Sequence, residues 1–290
     1  MCSHESRSHD RSLSTALWIL QSRRLTCRIT LSLINDTGYL TDNLGRESVS
    51  FIENHKDEPF FLYLPFNAVH WPLQAPQDDI ASYDTGNPDR NIQLAMVKRM
   101  DIAIGTVIDA LKNNGVWDNT LLFFFSDNGG AQKNHADNTP LRDYKQSVYE
   151  GGLRVPFAVT WPGHIEPGSV SHEPVISFDI LPTICAAVGI DLPNDRVYDG
   201  QNMLPALQGE STDPLHQNLF FDGDDGYWSV RAGVWKLVSN KQGELELYNL
   251  GDDIGETTDL SAQHPNKTQE LNTAYQTWRN EMAPRIKSSN

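Results

Sequence analysis

The run Thr120-Leu121-Leu122-Phe123-Phe124-Phe125-Ser126 is the feature that most limits what this chain can fold into. A strand apolar on both faces must be covered on both sides, which is the habit of sheets sandwiched between helices. Pro59-Phe60-Phe61-Leu62-Tyr63-Leu64 is a second such run. Residues 157–161 read as a third, closed by Pro162-Gly163, and residues 174–177 as a fourth. Helical patterns lie between them. Residues 42–54 offer Leu44, Val49, Phe51 and Ile52 for burial. Over residues 91–114, Val97, Met100, Ile104, Val107, Ile108 and Leu111 recur at three- and four-residue steps and share a face, with Gly115 just past the end. Residues 179–188 predict a helix with Asp179 as N-cap and Gly189 beyond it. Strands alternating with amphipathic helices predict an α/β sandwich around a mostly parallel sheet.

After Pro214 the pattern shortens. Residues 219–221, 227–231, 235–239 and 244–249 are brief segments parted by Gly, Asp and Asn turns, and residues 267–282 read as a last helix. This predicts a small α+β antiparallel domain over residues 214–290, following a core over residues 35–213. Residues 1–34 stand apart. They hold five arginines and two acids in a chain of net charge −15, and are read as an atypical leader outside the core. Their apolar stretch at residues 13–20 is followed by Gln21-Ser22-Arg23-Arg24 rather than small residues, so no convincing signal peptide is read there. No apolar run is long enough to span a membrane, and the acidic balance argues against a nucleic-acid partner. Three dispersed cysteines, Cys2, Cys27 and Cys185, give neither a disulfide framework nor zinc spacing. Asn35 and Asn266 head acceptor triplets for glycosylation, should the host glycosylate.

Three segments can carry chemistry. Ser126-Asp127-Asn128-Gly129-Gly130 follows a buried strand, where open α/β sheets bind ligands. Asp127 and Asn128 offer hard oxygen donors suited to Ca²⁺ or Mg²⁺, although Asp-Asn-Gly-Gly is equally good turn chemistry. His70, in Ala68-Val69-His70-Trp71-Pro72, can donate to an anion or act as a general acid, or simply bond the backbone. Arg142, Lys145 and Arg154 form the locally positive stretch that an acidic protein needs for an anionic substrate, unless they are only a solvated loop. Neither Gly129-Gly130 nor Gly151-Gly152 fits a Walker or dinucleotide loop, and no Gly-x-Ser-x-Gly elbow is present.

Taken in order, these segments are similar to the sulfatase family. The succession is Tyr63-Leu64-Pro65-Phe66-Asn67-Ala68-Val69-His70-Trp71-Pro72, Ser126-Asp127-Asn128-Gly129-Gly130, Pro140-Leu141-Arg142 with Lys145, Glu150-Gly151-Gly152-Leu153-Arg154-Val155-Pro156, and Trp161-Pro162-Gly163. Asp179-Ile180-Leu181-Pro182-Thr183, Asp199-Gly200-Gln201-Asn202, and Leu247-Tyr248-Asn249-Leu250 before Glu256 and Asp259-Leu260 extend it. The likeness runs from about Gly38 to the C-terminus and looks nearest to the arylsulfatase and N-acetylgalactosamine-sulfatase branch. It implies an alkaline-phosphatase-like sandwich and calcium-assisted hydrolysis of sulfate esters on a small molecule or glycan. It implies metal ligation by Asp127 and Asn128, and catalytic sulfate contacts from His70 and Lys145; Arg142, from the positive stretch, is expected beside them as a substrate-binding residue. Secretion or a periplasmic location is the family habit.

The sequence also departs from the family. The expected formylglycine motif, Cys-x-Pro-x-Arg or its Ser form, is absent: Cys2, Cys27 and Cys185 all lack the arginine four positions on. The resemblance therefore implies an N-terminally truncated sulfatase, lacking the first strands, the nucleophile and part of the calcium shell. Weak or no calcium affinity and an exposed sheet edge are expected. A phosphoester hydrolase of the same superfamily and a non-catalytic binder of sulfated glycans are the rival readings.

Overall fold

A computed structural model describes residues 38–223 and 226–282. The leader read over residues 1–34, Cys2, Cys27 and the acceptor at Asn35 lie outside the described residues, as do Asp224 and Asp225. The chain forms two compact units that divide after Asp118.

In the first unit, α1 (Leu40–His55), α2 (Gln77–Ile80) and α3 (Pro88–Asn113) pack together. α3 starts three residues earlier than its apolar pattern indicates. Pro88 stands in its first turn, and the Asn87 side chain accepts from the backbone N–H groups of Asp89 and Arg90 at 3.0 and 3.2 Å. Of the expected face, Val107 and Leu111 are buried, Met100, Ile104 and Ile108 half-buried, and Val97 exposed. Ala95, Met96, Ala103, Val107, Ala110 and Leu111 are buried, whereas Val97 is 41% exposed and Ile102 46%. The alanines allow close approach of α1: a Cβ on Gly45 would stand 3.0 Å from that of Ala103. Asp79, buried on α2, takes Lys98 Nζ at 2.8 Å and Arg99 Nε, which fastens α2 to α3. Residues 59–64, expected as a strand, join no ladder among the described residues.

In the second unit, β1 (Leu122–Phe125) pairs antiparallel with β2 (Phe157–Thr160), Leu122 opposite Thr160 and Phe125 opposite Phe157. The expected mostly parallel sheet is represented among the described residues by this antiparallel pair alone. Residues 174–177 form no strand. The Ile176 N–H goes to Asp179 Oδ2 at 2.8 Å, and a 3₁₀ turn over Ser177–Asp179 leads into α5 (Ile180–Ala187). Asp179 thus makes no N-cap bond to α5; it also accepts from Gln201 N–H at 2.7 Å and lies 2.9 Å from His216 Nε2.

The C-terminal segments fold close to their predicted bounds. β3 (Leu219–Asp222), β4 (Trp228–Ala232), β5 (Trp235–Ser239) and β6 (Leu245–Asn249) form an antiparallel meander, after the short helices α4 (Glu150–Leu153) and α6 (Leu204–Leu207). One face packs Trp228, Val230, Leu237 and Leu247 on Leu271 and Tyr275 of α7 (Pro265–Glu281). The Trp228 and Tyr275 rings stack 3.8 Å apart. The opposite face packs Val238 and Tyr248 against Val148 and Tyr149, just ahead of α4. That contact ties the sheet to the segment carrying Lys145.

Candidate functional site

β1 delivers Ser126, Asp127 and Asn128 at its carboxyl end, and a double-glycine contact fixes the turn beyond. Gly129 N–H donates to Gly152 O at 2.9 Å, Gly151 N–H to Arg142 O at 2.8 Å, and Lys145 N–H to Gly130 O at 3.0 Å. The backbones approach too closely for side chains. A Cβ on Gly129 would lie 1.8 Å from Gly151 O, and one on Gly151 2.2 Å from Asp143 O. The turn bearing Asp127 and Asn128 is thereby bound to the loop bearing Lys145.

Lys145 is half-buried, between Asp143 at φ 72° and Gln146 at φ 75°. Left-handed backbone at non-glycine residues costs energy and persists where surrounding contacts enforce it. Among the described residues the Lys145 ammonium has no ion pair. Arg142 differs. Its Nη1 donates to Tyr248 OH at 2.8 Å and Glu256 O at 3.0 Å, lies 3.5 Å from Glu246 Oε2, and its guanidinium covers the Tyr149 ring at 3.8 Å. Tyr149 and Tyr248 both donate to Glu246 Oε2, at 2.5 and 2.7 Å. Burial first, then the Glu246 carboxylate, push both phenols well above their ordinary range. Arg142 therefore braces the loop, whereas Lys145 makes no such contact among the described residues.

Asp127 is exposed and accepts from Asn128 Nδ2 at 2.5 Å. Ser126 Oγ donates to Asn128 O at 2.8 Å. Among the described residues no three His, Cys, Asp or Glu side chains gather as a metal site. Two side-chain donors fall short of the about six to eight oxygens that calcium takes. These residues alone do not fit a complete calcium site.

His70, in the first unit, is exposed. Its N–H donates to Asn67 O at 2.8 Å, and its Nδ1 lies 2.6 Å from Trp71 O. A carbonyl partner suits the tautomer that carries its proton on Nδ1.

A buried charge cluster beneath the Lys145 loop escaped the sequence reading. Lys236 on β5 is fully buried; its Nζ lies 2.8 Å from Glu150 Oε1 and 2.9 Å from Glu256 Oε1. Glu256 Oε2 accepts the Glu150 N–H at 2.7 Å. Strand alternation carried the signal. Lys236 and Val238 share a face, and Val238 is core, so Lys236 must point inward and needs a buried counter-charge.

The second unit thus joins, through packed glycines, an oxygen pair at a strand's carboxyl end to a lysine with no ion pair among the described residues. Comparison with known proteins supplies the rest. The Sulfatase family model matches residues 8–190, and the model described as N-sulphoglucosamine sulphohydrolase, C-terminal, matches residues 143–282. A sulfatase of Formosa agariphila is 34% identical over 261 residues, covering 79% of this chain and 47% of that protein. The N-acetylgalactosamine-6-sulfatase of Rattus norvegicus is 34% identical over 204 residues, covering 68% of this chain and 37% of the relative. The crystal structure of Ps i-CgsB superposes with a TM-score of 0.82 at 33% identity, over 87% of this chain and 57% of that one. The chain belongs to the sulfatase family and has its alkaline-phosphatase-like fold. It spans between 37% and 57% of the length of these relatives.

Proposed function

We propose that this chain carries the sulfate-recognising part of a sulfuric ester hydrolase, with Lys145 as its principal anion contact. The carrying observation is the half-buried lysine that has no ion pair among the described residues, bound through its own N–H to the Asp127–Asn128 turn. A fixed ammonium in a partly dry site stabilises charge on sulfate oxygens as the ester S–O bond lengthens. His70, in the first unit, is the candidate general acid. That role rests on its motif and its Nδ1–Trp71 contact. Asp127 and Asn128 serve as two donors of a cation site that the described residues do not complete, and no step is assigned to the cation. The substrate class is a sulfated sugar. The Ps i-CgsB structure, also solved in complex with k-i-k-neocarrahexaose at 34% identity to this chain, supports it.

A second reading, sulfated-glycan binding without turnover, is favoured by one observation. None of the three cysteines stands in Cys-x-Pro-x-Arg. Assays of the purified chain with a paired aryl sulfate and aryl phosphate separate the readings. Sulfate hydrolysis lost in Lys145→Ala supports a hydrolase; binding of a sulfated oligosaccharide with no hydrolysis supports the binder; phosphate turnover alone opposes both.

A further inference from the structure

We propose that Asn138 is the positioning residue of the sulfate site, its one carboxamide clasping the Asp127–Asn128 turn to the Lys145 loop. This rests on the sulfate reading of Lys145. Asn138 Oδ1 accepts the Gly130 N–H at 3.1 Å. Its Nδ2 stands 3.0 Å from Gly130 O, 3.0 Å from Asp143 O and 3.2 Å from Gly151 O. Two amide hydrogens thus serve three carbonyls from three separate segments. Gly130 O also takes the Lys145 N–H at 3.0 Å, so one oxygen joins the clasp to the lysine. Asp143 stands in the left-handed region, and the Asn138 bond to its carbonyl helps hold it there. A Cβ on Gly130 would lie 2.6 Å from Asn138 Oδ1, so that neighbour is fitted to the amide.

The clasp requires an amide. A carboxylate would set oxygen against three carbonyl oxygens, and a hydroxyl cannot reach three segments. Asn138→Asp and Asn138→Ser are therefore compared with the parent chain by hydrogen exchange and by titration with a sulfated galactan oligosaccharide. Exchange at Gly129, Gly130 and Lys145 rises about tenfold in both variants, while β4 and β5 keep their protection. Affinity for the oligosaccharide falls about tenfold in both variants. Two results overturn the proposal. One is exchange at those amides within about twofold of the parent. The other is uniform loosening of the sheet with the loops, which makes Asn138 a general stabiliser. If the parent binds no sulfated oligosaccharide, the sulfate reading fails, and the exchange comparison still decides whether the clasp exists.

Discussion

Lys236 Nζ lies 2.8 Å from Glu150 Oε1, both side chains buried, and this pair anchors the floor of the candidate site. Glu150 opens α4, and the next residues, Gly151 and Gly152, bond Arg142 and Gly129. Removing the ammonium leaves Glu256 without its buried counter-charge and Glu150 with only Arg154 and Arg231, at 3.4 and 3.6 Å. Lys236→Met should cost about 3–5 kcal/mol, the usual result of stranding a buried partner. Urea unfolding monitored by tryptophan fluorescence measures it. A triple variant that also carries Glu150→Gln and Glu256→Gln should recover part of the loss. A Lys236→Met chain as stable as the parent would show that the pair is not coupled to folding.

The two glutamates carry opposite pH signatures. Burial raises Glu150, but Lys236, Arg231 and Arg154 outweigh it, so its folded-state value lies below the ordinary 4.5. Its contribution is present above 4.5 and lost as pH falls through the folded value. Burial raises Glu256 above 4.5 despite Lys236. Its contribution is fully present below 4.5 and lost as pH rises through the folded value. Calorimetric melts of Glu256→Gln should therefore lack the decline that the parent shows on the neutral side of 4.5. Parallel curves for parent and variant would oppose this.

Gly129→Ala should disturb the site and the fold together. The added Cβ meets a backbone carbonyl at 1.8 Å, and no flexible side chain can yield. We expect a loss of about 1–3 kcal/mol or more, seen as a lower denaturant midpoint. Gly163→Ala is the control. Its Cβ meets nothing within 4 Å, so only its positive φ opposes the change. Equal effects at the two positions would argue against the packed-glycine contact.

Much of the fold was legible. β5 falls on its predicted residues, and β4, β6 and α7 lie within two residues of theirs, because short alternating segments parted by turn residues leave little freedom. α3 extended further because Asn87 and Pro88 form a start signal that apolar periodicity does not see. Its buried face takes in Ala95, Ala103 and Ala110 beside Val107 and Leu111, because alanines carry close helix packing while contributing little to an apolar pattern. The site was legible as segments but not as contacts. Asn138 lies outside the apolar patterns and the metal-type motifs, and its role depends on three carbonyls that meet only in the fold. Arg142 and Lys145 look alike in sequence; in the fold Tyr248, Glu246 and Tyr149 surround Arg142, and among the described residues Lys145 has no ion pair.

Calcium should bind this chain weakly. Asp127 and Asn128 contribute two side-chain oxygens to an ion that takes about six to eight. Calorimetric titration with calcium chloride should show no saturable heat at micromolar concentration. A stoichiometric micromolar site, lost in Asp127→Ala, would reveal ligands beyond the described set.

The central claim is that Lys145 recognises sulfate. It is tested most directly by titrating the purified chain and Lys145→Ala with a sulfated galactan oligosaccharide, the desulfated sugar serving as blank. The parent should bind the sulfated sugar alone, and Lys145→Ala should lose about 1.5–3 kcal/mol of that affinity with an unchanged melt. Equal binding by the two proteins would contradict the assignment.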